Sequence, residues 1–299
     1  MNSLTGIHFL LSYTCTYECD HCFLYCSPQA RRTFTCGQLR RVFAEIELIG
    51  TIDTVYFEGG EPFLYYPILL EGLRLAARSR LRAGIVTNAY WATSSDDAEV
   101  WLRPLLDIGI AEISVSDDDF HHGSGEGNPA RHAIAAMRNL GIPCDSICIE
   151  SPRAEASTSN KGQPVVGGHA LLKGRAVEKL TPGLARRRCA EMIACPHEDL
   201  RAPARVHFDC FGNVHICQGL VMGNMWKTPL SQLVREYDAV QHPICGPLLN
   251  GGPAALARHY GLELPDDFVD ECHFCYTVRK ALIERFPCYL APRQVYGLS

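Results

Sequence analysis

Along residues 1–150 short apolar or β-branched runs alternate with longer stretches whose apolar positions recur every three to four residues. The short runs fall at 7–11, 54–57, 83–87, 111–115 and 144–149, and each predicts a strand. Between the first two, Leu39, Val42, Phe43, Ile46 and Ile49 predict a helix, with Thr35 as its cap. Leu69, Leu70, Leu73, Ala76 and Ala77 mark the next helix, and Trp101, Leu102, Leu105, Leu106 and Ile108 the one after. Asn128 and Pro129 read as the cap and first-turn proline of a helix running to Leu140. Strands alternating with helices over short connections imply right-handed crossovers and a parallel sheet. A sixth strand is expected near Val165 and Val166, giving an α/β fold: a partial (β/α)6 TIM-like barrel, not a closed eight-fold one.

After the fifth strand the pattern breaks. Residues 150–168 are rich in Ser, Pro, Gly and Asn and read as a long, mobile loop. Beyond about residue 180 the barrel periodicity stops and cysteines become frequent, which places a domain of residues 1–180 before a second of 185–299. In the second, residues 206–217 read as a hairpin turning at Phe211-Gly212-Asn213, and 278–286 as a helix.

Composition narrows the class. The 299 residues are 47% hydrophobic and 20% charged, as in soluble globular proteins. No apolar run is long enough to span a membrane, and the first residues lack the basic start of a signal peptide. A net charge of −5 without a basic stripe makes nucleic acid an unsuitable partner. Fifteen cysteines without a secretion signal point to metal or redox work in a reducing compartment, so the expected location is cytoplasmic.

The chemistry centres on Cys15, Cys19 and Cys22, three thiols within eight residues at the end of the first strand. In parallel α/β folds that end of the sheet carries the functional loops. Thiolates suit an iron–sulfur cluster or zinc, and three leave one metal position open for a substrate or exogenous ligand. The competing reading is a structural zinc completed by His21 or Cys26. At the end of the second strand Gly59 and Gly60 let backbone approach a ligand closely, and Glu61 can accept from an ammonium. A plain glycine turn is the alternative.

The Cys-x3-Cys-x2-Cys loop followed by Gly59-Gly60-Glu61-Pro62 resembles the radical S-adenosylmethionine (SAM) superfamily. The resemblance implies that Cys15, Cys19 and Cys22 hold a 4Fe–4S cluster whose fourth iron takes the amino and carboxylate groups of SAM. It assigns Gly59, Gly60 and Glu61 to the methionine amino group. Thr87-Asn88-Ala89 is similar to the family's Thr-Asn-Gly, with Ala89 departing from the pattern, and Asn88 joins the SAM-binding candidates. Ser114, Ser116 and Asp117 are the candidates for SAM's ribose and carboxylate. The run Asp117 to His122 could instead bind a hard or borderline metal, although Gly123 to Gly127 reads as a solvated loop. Gly174-Arg175-Ala176 resembles the junction to a C-terminal cluster domain. Cys195, Cys217, Cys272 and Cys275 resemble the ligands of an auxiliary 4Fe–4S cluster in a SPASM/twitch-like domain, the short twitch form fitting better, with Cys189 and Cys210 as rivals. The same four thiols could hold structural zinc. Cys26, Cys36, Cys144, Cys148 and Cys245 are expected as buried small hydrophobes, and His132 and His169 as ordinary histidines.

The resemblance implies reductive cleavage of SAM to methionine and a 5′-deoxyadenosyl radical that takes a hydrogen atom from the substrate. A catalytic acid or base is not assigned. The expected substrate is a peptide, acquiring a thioether or carbon–carbon crosslink, an epimerised centre or an oxidation. A small molecule such as a sugar, nucleoside or cofactor precursor is the alternative. The expected electron donor is a flavodoxin or ferredoxin, and because only 14 residues precede Cys15 a peptide would call for a separate leader-binding protein. A non-catalytic iron–sulfur or zinc protein for electron transfer or docking is the reading from another class.

Overall fold

The computed structural model describes residues 4–123, 127–156 and 164–298. The first half follows the alternation seen in the sequence: β1 (Gly6–Ser12), α1 (Cys36–Ile49), β2 (Thr54–Gly59), α2 (Tyr66–Arg78), β3 (Arg82–Thr87), α3 (Ser95–Ile108), β4 (Glu112–Ser116), a short α4 (Asp119–His122), α5 (Pro129–Leu140) and β5 (Cys144–Ile147). Thr35 and Gln38 form a reciprocal capping box on α1. Asn128 caps α5 ahead of Pro129.

Along β1, Ile7, Phe9 and Leu11 point to the helix layer. There Phe9 stacks on Phe57 at 5.0 Å and on Phe43 at 5.6 Å between ring centres. Burying a side chain of this size contributes about 1.5–3 kcal/mol. The alternate positions, His8 among them, face the concave side with Tyr56 and His207. The two faces thus separate a packing layer from a polar interior.

The sixth strand is not where the sequence put it. Val165 and Val166 lie in β7 (Pro164–Gly167), which pairs antiparallel with β6 (Arg153–Ala156) in a two-stranded sheet of its own. The segment expected to be one long loop therefore contains a hairpin. Residues 157–163 of that loop, and 124–126 of the glycine-rich one, lie outside the described residues. After α6 (Arg175–Lys179) and β8 (Arg187–Arg188), β9 (Arg205–Asp209) returns to pair in parallel with β1, opposite the edge where a sixth barrel strand was expected. Then β10 (Asn213–Cys217) and β11 (Leu220–Asn224) add antiparallel strands, giving the order β11-β10-β9-β1-β2-β3-β4-β5. One sheet thus crosses the boundary suggested by composition.

The expected hairpin is β9–β10, and Gly212 at its turn has φ +91°, where a β-carbon would stand 2.4 Å from the Trp226 ring. Asp209, fully buried at the hairpin, accepts from the Tyr13 hydroxyl at 3.0 Å and from Asn213 Nδ2 at 2.9 Å, with His215 Nε2 at 3.1 Å. That network ties the hairpin to the residue that opens the cysteine loop. The chain ends through α7 (Leu230–Glu236), α8 (Cys245–Leu249), α9 (Gly252–His259), β12 (Asp267–Phe268) and α10 (Glu271–Leu282). Asp270 caps α10 so that Cys272 and Cys275 occupy its first turns. Among the described residues no helix is long and apolar enough to cross a membrane.

Candidate active site

A cavity of about 270 Å³ opens at the carboxyl ends of the parallel strands. Cys15, Cys19 and Cys22 line it, with Gly59 at the end of β2, Gly60 just after it, Asn88 after β3 and Ser116 at the end of β4. Asn88 Nδ2 reaches Cys15 Sγ at 3.5 Å and Thr16 Oγ1 at 3.1 Å. Cys22 Sγ accepts from the Cys26 amide at 3.3 Å. The three thiols differ in character. Burial pushes Cys15 up to about 12 and raises Cys19 as well. A hydrogen bond from the Cys26 side chain, more than its amide, brings Cys22 down to about 6.

The two glycines serve the chain before any ligand. A β-carbon on Gly60 would stand 2.0 Å from the Thr14 carbonyl oxygen, and one on Gly59, at φ +121°, 2.6 Å from that of Ser12. Gly60 N donates to Ser12 O at 2.6 Å, so the β2 turn is pressed onto the start of the cysteine loop. Gly60→Ala is expected to destabilise the fold by about 1–3 kcal/mol through this overpacking. Denaturant melts of the apoprotein check it, and an unchanged midpoint would mean that the loop simply moves aside.

Glu61 is not on the cavity wall. Fully buried, its carboxylate accepts from Phe63 N at 3.0 Å, Thr87 Oγ1 at 2.9 Å and Asn88 N at 2.8 Å. Burial still lifts it to about 7. It clamps the end of β3 and thereby aims Asn88 at Cys15. Ser114 and Asp117 also lie off the cavity. Ser114 is half-buried within β4, and Asp117 turns to Asn128 Nδ2 at 2.5 Å. Its neighbour Asp118 lines the cavity instead, capping α4 and meeting His121 Nδ1 at 2.8 Å. His169, expected to be ordinary, lines the cavity too, whereas His132 Nδ1 meets Ala92 O at 3.0 Å. Ala89, which stands where the family pattern has glycine, is buried at φ +58°.

Cys195, Cys217, Cys272 and Cys275 meet around a second, narrow cavity. Cys189 and Cys210 are not on its wall. Two buried cations, Lys173 and Arg279, are. Lys173 Nζ stands 3.3 Å from Cys217 Sγ and 2.9 Å from Gln218 Oε1, while Arg279 donates to Gln218 O at 2.9 Å and keeps a buried Nε without a partner. Burial raises Cys272, and Cys275 to about 11. Of the other cysteines Cys26 and Cys245 are buried as expected, but Cys36 and Cys144 are half-buried and Cys148 is exposed.

The two thiol groups are joined by consecutive residues. Next to Lys173, Gly174 at φ +63° lies so close that a β-carbon would be 2.6 Å from Cys22 O. Arg175 then donates to Cys19 O and Cys26 O, both at 2.8 Å, and its amide to Cys22 O at 2.9 Å. The sequence marked Gly174 and Arg175 as a junction. It gave no sign that they brace the first cysteine loop while Lys173 reaches the second group.

Fold and cavity define an open parallel α/β barrel with a thiol-lined mouth. The model of the Radical SAM superfamily matches residues 9–149, just under half of the chain. Members of that superfamily are enzymes that bind a 4Fe–4S cluster and SAM. Residues of this chain are 24% identical over 111 positions to a Bacillus subtilis (strain 168) protein described as "Putative peptide biosynthesis protein YydG", covering 37% of this chain and 35% of that one. The match thus spans about a third of the relative's length. The crystal structure of BtrN in complex with AdoMet and 2-DOIA superposes with a TM-score of 0.53 at 16% identity, over 78% of this chain and 82% of BtrN. That likeness is one of fold.

Proposed function

We propose that the chain is a radical SAM enzyme with two 4Fe–4S clusters that oxidises, crosslinks or epimerises a peptide. The observation that carries the reading is the convergence of Cys15, Cys19 and Cys22 with three further strand ends on one cavity. Among the described residues, the ligand groups gathered within 4.8 Å are built from histidine and carboxylate, and neither thiol set is among them. Thiols spread more widely than one ion needs suit a cluster, whose cysteines stand around a cube. Buried amide donors to sulfur at the first site and buried cations at the second fit clusters of net negative charge.

When bound, the first cluster and SAM would supply the radical that takes a hydrogen atom from the substrate. This chain's residues hold and shield that chemistry. Glu61 fixes Asn88, Arg175 fixes the loop carbonyls, and Gly59, Gly60 and Ser116 form the wall on which SAM would lie. Cys195, Cys217, Cys272 and Cys275 would hold the auxiliary cluster. The peptide is supported by the description of the YydG relative, and a flavodoxin or ferredoxin and a separate leader-binding protein would be its partners. A small-molecule substrate is the second reading, and BtrN was crystallised with such a compound, 2-DOIA.

Anaerobically reconstituted protein is expected to hold about 8 Fe per chain and, with a strong reductant, to cleave SAM slowly. Short peptides encoded beside the gene should then change mass in a SAM-dependent way. Stoichiometric zinc with little iron would overturn the two-cluster reading. Cleavage of SAM with no change to any such peptide would move the substrate to the small molecules.

A further inference from the structure

Three side chains on the concave face of the sheet take no part in the reading above. His8 on β1, Glu58 on β2 and His207 on β9 converge although about 200 residues separate the first from the last. His8 and His207 are paired in register across β1 and β9, and Glu58 is two positions beyond Tyr56, the residue opposite His8 on β2. Glu58 Oε1 stands 3.4 Å from His8 Nδ1 and 3.2 Å from His207 Nε2. All three ligand atoms fall within 4.8 Å of one another.

We propose that His8, Glu58 and His207 form a binding site for a first-row divalent metal ion, such as zinc, with an open position for an oxygen or nitrogen donor of the substrate. Three observations carry it. The spacing is the first: ligand atoms about 2.0–2.1 Å from a tetrahedral ion lie about 3.3–3.4 Å apart, close to both measured separations. Alignment is the second. His8 Nδ1 is buried beside the carboxylate yet has no hydrogen-bond partner, so its lone pair or proton points away from Glu58 Oε1. His207 is only 5% exposed, and the nitrogen it turns to Glu58 is Nε2. The donor set is the third, since two imidazoles and one carboxylate on rigid strands leave coordination positions free.

Glu58 also lines the main cavity, so a metal here would be within reach of its occupant. The carbonyl, carboxylate or hydroxyl oxygen of a substrate could take the open position and be polarised there. The competing claim on His207 Nε2 is a long contact of 3.4 Å from Gln218 Nε2, whose Oε1 is fixed by Lys173. If that contact prevails, the three residues are a hydrogen-bonded network and no metal binds. The other histidine group, His21, Asp118 and His121, is a weaker candidate because Asp118 is already engaged by His121 Nδ1 and the start of α4.

The test uses iron-loaded protein, whose thiols are filled, equilibrated anaerobically with Zn²⁺ and desalted. About one zinc per chain is expected beyond the iron, with X-ray absorption showing nitrogen and oxygen neighbours near 2.0 Å and no sulfur near 2.3 Å. His8→Ala, His207→Ala and Glu58→Gln should each bring zinc to background with iron content and circular dichroism unchanged. Glu58→Gln keeps the side chain's shape, so it remains informative if an alanine variant fails to fold. Background zinc in the unmodified protein, equal zinc in all variants, or sulfur in the zinc shell would each overturn the site.

Discussion

Replacing Cys15, Cys19 and Cys22 together with alanine is expected to halve the iron of the reconstituted protein, from about 8 to about 4 per chain, and to abolish 5′-deoxyadenosine formation. The three thiols belong to one loop whose backbone is held by other groups. Arg175 binds the carbonyls of Cys19 and Cys26, and Gly60 N binds Ser12 O. Losing three sulfur atoms therefore leaves the loop's scaffold intact, and the second thiol group shares none of these residues. Loading itself must expel protons, because burial holds Cys15 and Cys19 above the ordinary thiol value while Cys22 ionises readily. Iron analysis and chromatographic assay of 5′-deoxyadenosine read the outcome. Full iron retention, or continued SAM cleavage, would remove these cysteines from the reaction.

What the sequence showed and what it hid have physical causes. The strands and helices of the first half were legible because apolar spacing is a local property, as at Leu39, Val42, Phe43 and Ile46 on α1. The four distant cysteines were legible as a set only through family likeness, and the fold does bring them to one wall. The partner of a strand is a long-range choice. Residues 206–208 looked like a hairpin arm, but nothing nearby says that Val206 lies beside Ile7 in parallel. Likewise Val165 and Val166 have the composition of a barrel strand yet pair with Ala154 and Glu155.

Side-chain direction failed at the strand end by one residue. Beyond Ser116 the chain leaves β4, so alternation no longer tells which of Asp117 and Asp118 faces the cavity. Glu61 shows the same limit in another form. Its motif suggested a ligand contact, but Thr87, Asn88 and Phe63 already use its oxygens. Lys173 and His8 carried no local signal, because their partners, Cys217 and Glu58, come from other parts of the chain.

The largest separation of effects is expected from Cys272→Ala with Cys275→Ala. Both residues sit in the first turns of α10, held by the Asp270 cap, and face Cys195, Cys217 and the buried ammonium of Lys173. Removing them should cost about 4 Fe per chain while the first site assembles, since none of its three thiols is touched. A substrate radical that ends as an oxidised or crosslinked product must lose an electron, and a second cluster is a physical sink for it. Product formation on the true substrate should therefore fall below detection while abortive release of 5′-deoxyadenosine continues. Lys173 gives the structural alternative a distinct signature. It lies one residue from Gly174, which packs on Cys22 O, so collapse of the second group could pull the first loop apart. In that case both activities and the iron of both sites would be lost, and the melting midpoint would drop. Normal product at half the iron would show that the second thiol group serves neither purpose.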